Sequence, residues 1–425
     1  MVERSHPIRQ SGCASAIDEN ESMSTAEVQA KTVKVLASAQ VLSGVGTAGT
    51  FAAGALLVSE ITGSETLAGL AQTSSVLGAA VLAIPLSSLT ARGGRRLALS
   101  IGLLAGTMGA LFAILGGLEE NIFLMLTGTC LVGSASAAGY QARFAAIDLA
   151  DDSSRAKQLS LVVWGATIGA VAGPNLMEPA GALAESIGWP RLVGPYIVAA
   201  SSLSLAAIVI QIFLRPDPYL LAREASVDSG ERRSAVRPAL AHIRSNPRAL
   251  FAILAISIGH LAMVSVMVMT PVHMAHVDVT LTVIGLVISI HVIGMYAFSP
   301  IVGQLSDRLG RVESVRVGVL ILLASMLISG FAAPDDSVLL GIGLFLLGLG
   351  WSFTLIAGSA LLSESVATSM QPASQGASDL MMNLSAAGGG ALAGLIIGTL
   401  SYGWLCFFVA IPVIWLGIRS LKVRQ

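Results

Sequence analysis

The sequence predicts an all-α membrane protein of twelve spanning helices, built as two six-helix bundles that repeat one another. Composition, helix-length apolar stretches and the placement of basic residues predict it. Of 425 residues, 54% are hydrophobic and only 12% charged, about half the charged share of an average soluble domain. Mean hydropathy is +0.79. This balance excludes an ordinary soluble enzyme, a disordered chain and a nucleic-acid binder. The net charge of −1 recruits no polyanion. Cys13, Cys130 and Cys406 are too scattered for a disulfide framework or a zinc pattern.

A spanning helix needs about 20 mostly apolar residues. Such stretches lie near 35–58, 66–89, 97–117, 122–146, 157–180 and 192–214, then near 249–272, 281–303, 315–333, 337–358, 376–399 and 402–420. Residues 1–32 are polar, lack the apolar region of a signal peptide and read as a cytoplasmic tail. Residues 33–214 form the first bundle, 215–248 a basic linker, 249–420 the second bundle and 421–425 a short tail. Of the 24 Lys and Arg, all but Arg191 fall on one side of this topology. The positive-inside rule makes that side cytoplasmic, with both termini on it.

The halves share features at one offset. After span 2 comes Ala91-Arg92-Gly93-Gly94-Arg95-Arg96, and after span 8 comes Gly303-Gln304-Leu305-Ser306-Asp307-Arg308-Leu309-Gly310-Arg311. Aligning Gly94-Arg95 with Gly310-Arg311 gives an offset of 216 residues. The same offset carries Gly173 of span 5, which follows Gly165 and Gly169 and precedes Pro174, onto Gly389 in the run Gly388 to Gly390 of span 11. Two features at one offset indicate an internal duplication.

The GxLxDRxGR loop and the Gly169–Pro174 segment resemble those of the major facilitator superfamily, over essentially all of residues 33–420. The resemblance implies that fold and secondary transport by alternating access. It implies no enzyme activity, no permanent cofactor and a monomer in the bacterial inner membrane. Asp307, Arg308 and Arg311 are expected to clamp helix ends in one conformation and release them in another. Ala91 replaces the acidic residue in the first half and weakens that expectation there. Gly169, Gly173 and Pro174 are expected to pack and rock, because small residues let helices approach closely in lipid.

Four of six histidines and five of 14 methionines fall between residues 260 and 295. His260, Met263 and Met267 share one face of span 7; His291 and Met295 share one face of span 8. At 1.5 Å rise per residue, Met263, His291 and Met295 lie within roughly 5 Å of the midplane, where alternating access places a substrate. Spans 7 and 8 are expected to be adjacent antiparallel helices that offer three thioethers and an imidazole at similar depth. These donors suit a soft cation such as Cu(I) and suit magnesium or calcium badly. His273, Met274 and His276, at the outer end of span 7, are candidates for ion capture or entry, and His260 is a candidate additional metal ligand. An intramembrane histidine is costly in lipid, whereas any single methionine is ordinary packing.

The MxxxM of span 7 with the HxxxM of span 8 resembles the CcoA-type copper importers of the same superfamily. That resemblance implies copper as transported substrate, held by Met263, Met267, His291 and Met295. The His291-Val292-Ile293-Gly294-Met295 pattern also resembles relatives that carry other substrates, riboflavin among them. Two further readings stay open: a proton-coupled exporter of drugs or metabolites, and a vitamin importer of the riboflavin type. The latter wants stacking surfaces, and Tyr296 is the one Tyr or Trp near the pair. No P-loop indicates an ATP-driven pump. Arg143, near the end of span 4, either pairs with Asp148 or simply marks the topology. Asp379 and Asn383 open span 11, and Asn175 and Glu178 close span 5. Each is a proton-carrier candidate that the expected depth disfavours.

Overall fold

The computed structural model describes residues 24–63, 67, 69–227, 241, 243–275 and 281–423. Among them, nine helices are long and apolar enough to cross a membrane, or eleven if each of two bent pairs is one span. A break inside one of the nine makes twelve crossings consistent with the chain.

Helix α1 covers Thr25–Thr62 and starts before the expected tail boundary. Ser24 and Glu27 form a capping box, with the Glu27 N–H donating to Ser24 Oγ at 3.3 Å and the Ser24 N–H to Glu27 at 2.8 Å. Such a box satisfies N–H groups that a helix start leaves bare. Helix α2, Gly69–Leu118, holds spans 2 and 3, broken at Gly94 with φ 84° and ψ 178°. Helix α3 is Ile122–Ala145. Helix α4, Arg155–Asn175, ends just after Pro174 and meets α5, Met177–Ser186, at 53°. Helix α6 is Gly194–Phe213 and α7 is Pro218–Val227, in the linker.

The second half opens with α8, Pro247–Ala275. Span 8 is α9, Leu281–Val292, a π turn over Ile293–Ala297, then α10, Ser299–Leu309, with a 42° bend. Pro300 lacks an N–H and its ring crowds the carbonyl four residues back, which widens that turn. Helices α11 (Arg311–Phe331), α12 (Ser337–Glu364), α13 (Gln371–Thr399) and α14 (Tyr402–Ser420) complete the bundle.

The duplication is visible in three dimensions. Gly310, 216 residues after Gly94, breaks its chain with φ 92° and ψ 157°. The halves meet through α4 against α10 and through α2 against α13. A Cβ on Gly303 would strike Ser160, and a Cβ on Gly376 would strike Ser87. These contacts are images of one another under the same offset. Gly169 lies against Gly44 of α1, and Gly173 against Ala48 and Gly49, so the span-5 glycines bring α4 onto α1. Gly389 lies against Ser265 and Leu261 of α8, whereas nothing lies within 4 Å of a Cβ on Gly388.

Gly303→Val is expected to destabilise the protein by about 1–3 kcal/mol, the usual cost of overpacking. Gly388→Ala is expected to leave stability unchanged or slightly raised. Thermal unfolding of the two variants in detergent checks this.

Candidate functional site

The histidines and methionines of spans 7 and 8 do not face one another as neighbours. Helix α12 packs against both α8 and α9, while α8 and α9 barely touch. The expectation of adjacent rods is corrected on this point: the fold inserts span 10 between them. His291 is fully buried, and its Nδ1–H donates to the Leu344 carbonyl of α12 at 2.7 Å. Its Nε2 is left without a partner. Met263 and Met295 are buried in the same apolar cluster, and Met267 packs half-buried against it. Met274 is buried, and His273 stacks on Tyr402 with ring centroids 4.4 Å apart. His276 lies outside the described residues. Among the described residues, no three His, Cys, Asp or Glu side chains assemble into a metal-binding group.

His260 has a partner that sequence reasoning missed. The Trp351 Nε1–H of α12 donates to His260 Nδ1 at 2.9 Å. Tyr296, in the π turn, meets Trp351 edge-on with centroids 5.7 Å apart. From the first half, half-buried Tyr140 packs against an apolar cluster that both halves share. The Arg143 guanidinium lies over the Tyr140 ring at 5.6 Å and over Phe144 at 4.8 Å, and it is in electrostatic reach of His260. One cation, one imidazole and three polar aromatic rings thus gather where the two halves meet. Trp351 is far along the chain from span 8, which is why Tyr296 looks alone in sequence.

A buried polar ladder also crosses between the halves. Arg143 Nη2 donates to Asp379 Oδ1 at 2.6 Å, and both side chains are almost wholly buried. Gln141 donates to the other Asp379 oxygen at 2.7 Å. Gln141 accepts from Arg95 at 3.2 Å, and Arg95 donates to Gln375 of α13 at 2.8 Å. Arg95 also holds Asp148 at 2.7 and 2.9 Å. The expected Arg143–Asp148 pair is therefore corrected: each takes a different partner, because α13 brings Asp379 to Arg143.

Nearer the basic surface lies the loop after α10. Asp307 accepts from the Ala156 N–H at 3.0 Å and the Lys157 N–H at 2.8 Å, at the start of α4 in the other half. A carboxylate there meets bare N–H groups and the positive end of the helix dipole. Arg311 holds Asp307 at 2.5 Å, Glu364 at 2.8 Å and the Asp152 carbonyl at 2.7 Å. Arg308 is exposed and takes no part in this junction. In the first half the repeat puts Ala91 at the place of Asp307 and Pro372 at the place of Ala156. Proline has no N–H to offer, so one of the two donors that Asp307 meets is absent where the carboxylate is missing. Asp217 instead accepts from the Arg96 N–H at 2.8 Å, within its own half.

Two helical bundles that meet through small residues and a polar junction at one end define a carrier of the alternating-access class. Residues 36–278 and 261–424 match the family model described as Major Facilitator Superfamily. The chain is 38% identical over 394 residues to YdeG of Bacillus subtilis, described as an uncharacterized MFS-type transporter, covering 90% of this chain and 91% of that protein. It is 27% identical over 345 residues to the riboflavin transporter RfnT of Brucella anthropi, covering 80% and 82%. The fucose:proton symporter FucP of E. coli superposes with a TM-score of 0.70 at 18% identity, over 92% of this chain and 98% of that one. The chain belongs to the major facilitator superfamily.

Asp307→Asn is expected to loosen the junction at α4 by about 1 kcal/mol, within the range for a charge at a helix end. A cysteine placed at buried Ser160 should then react with a maleimide about five times faster from the basic side. Unchanged labelling would contradict the expectation.

Proposed function

We propose that this secondary transporter carries a planar aromatic solute of the riboflavin kind across the bacterial inner membrane. Tyr140, Arg143, His260, Tyr296 and Trp351 form its recognition surface. The observation that carries the reading is the Trp351–His260 hydrogen bond with Tyr296 set against the indole. It fixes the orientation of a large ring where the halves meet, and rigid aromatic surfaces bind planar ligands through stacking. Arg143 adds donors for carbonyl or anionic edges. The RfnT relative supports the solute class. Both termini and the linker are placed in the cytoplasm by the positive-inside rule, and the chain acts as a monomer.

Uptake of radiolabelled riboflavin by cells expressing the protein tests this. Expression should raise uptake above that of cells lacking it. Trp351→Ala should cut the gain by about tenfold or more, consistent with about 1.4 kcal/mol or more of lost binding, and Trp351→Phe should cut it less. No gain on expression, or a gain indifferent to Trp351→Ala, would contradict the reading.

A second reading, copper import, is favoured by one specific observation. Fully buried His291 keeps a bare Nε2, and Met263 and Met295 on spans 7 and 8 are buried as well. Neutral nitrogen and sulfur donors suit Cu(I), and half-buried Met267 completes the set. Here cellular copper should rise on expression and fall to the control level with His291→Ala, Met263→Leu or Met295→Leu. Copper content unaffected by all three changes would remove it.

A further inference from the structure

We propose that Asp379 is the carboxylate that couples transport to a proton, and that its charge holds the basic end of the carrier closed. The inference rests on the carrier reading above but not on its solute.

The ladder breaks the symmetry of the repeat. Offsetting by 216 residues, Arg143 corresponds to Ser359, Asp379 to Val163, Gln141 to Ala357 and Gln375 to Leu159. The clamp charges obey the repeat instead, Arg95 with Asp148 matching Arg311 with Glu364. Scaffold contacts are duplicated; the Arg143–Asp379 pair is not. A private, buried ion pair between two bodies that must separate asks for a function beyond scaffolding, because burying charges is costly.

Ionised Asp379 accepts from Arg143 and Gln141 of the other half. Arg95 of α2 reaches the same group through Gln141, with Tyr140 of α3 and His260 of α8 the other titratable groups about the pair. A proton from solvent forms one O–H bond on Asp379 and cancels its charge. In the closed arrangement that leaves Arg143 a buried cation without its carboxylate, which is strongly unfavourable. With the basic end open, water can solvate both groups. Protonation therefore favours opening, and loss of the proton favours closure.

The test needs no solute. Spin labels on Lys157→Cys and Arg308→Cys, both exposed and flanking the junction, report the separation of the halves in the full-length protein in lipid nanodiscs. The native cysteines are replaced by serine. Between about pH 8 and pH 3.5, spanning ordinary histidine and carboxylate titration, the wild type should shift toward longer distances. Asp379→Asn should give the longer distances at both pH values. Asp379→Glu should still respond, with a displaced midpoint, and it serves if the asparagine variant fails to fold. A wild type indifferent to pH would overturn the proposal. So would a response that survives Asp379→Asn, which would point to Asp307, or an unmoved midpoint in Asp379→Glu.

Discussion

A buried arginine must find its carboxylate, and in this carrier the carboxylate belongs to the other half of the molecule. Arg143 and Asp379 lie 2.6 Å apart with almost no exposure. Removing one partner of such a pair typically costs about 3–5 kcal/mol, because a bare charge is left in low dielectric. The association of the halves and the ionisation of one side chain become a single question. Asp307 across the start of α4, and the close contacts at Gly303 and Gly376, depend on the same approach of the two bundles.

The repeat separates scaffold from function. Positions that obey the 216-residue offset, such as Gly94 with Gly310 and Ser87 with Gly303, make turns and helix contacts. The site residues violate it. His260 corresponds to Gly44, Trp351 to Ala135 and Tyr296 to Ala80. One half gives small residues for packing where the other gives rings and an imidazole. The π turn holding Met295 and Tyr296 adds a local break in regular helix, a feature often found beside functional sites.

The fold was legible because its determinants are local. Apolar length, the one-sided placement of basic residues and the GxLxDRxGR loop each occupy a short segment. The clamp was partly legible: Asp307 and Arg311 make the junction, while Arg308 next to them faces outward. The convergence of spans 7 and 8 was inferred from helix faces, which give depth and direction but not neighbours. Helix α12 fills the space between them. Trp351 and the Arg143–Asp379 pair were hidden because their partners are distant in sequence, and Arg143 was read against the nearby Asp148. One usable signal existed in the repeat, which gives Ser359 and Val163 where the pair has its charges.

The central claim is that Arg143 and Asp379 act as one interaction that ties the halves together. A double-mutant cycle on equilibrium unfolding of Arg143→Ala, Asp379→Ala and the double variant measures that coupling directly. The account predicts that each single change destabilises by about 3 kcal/mol or more and that the double change costs little more than either. Additive losses would show two independent side chains and contradict the account.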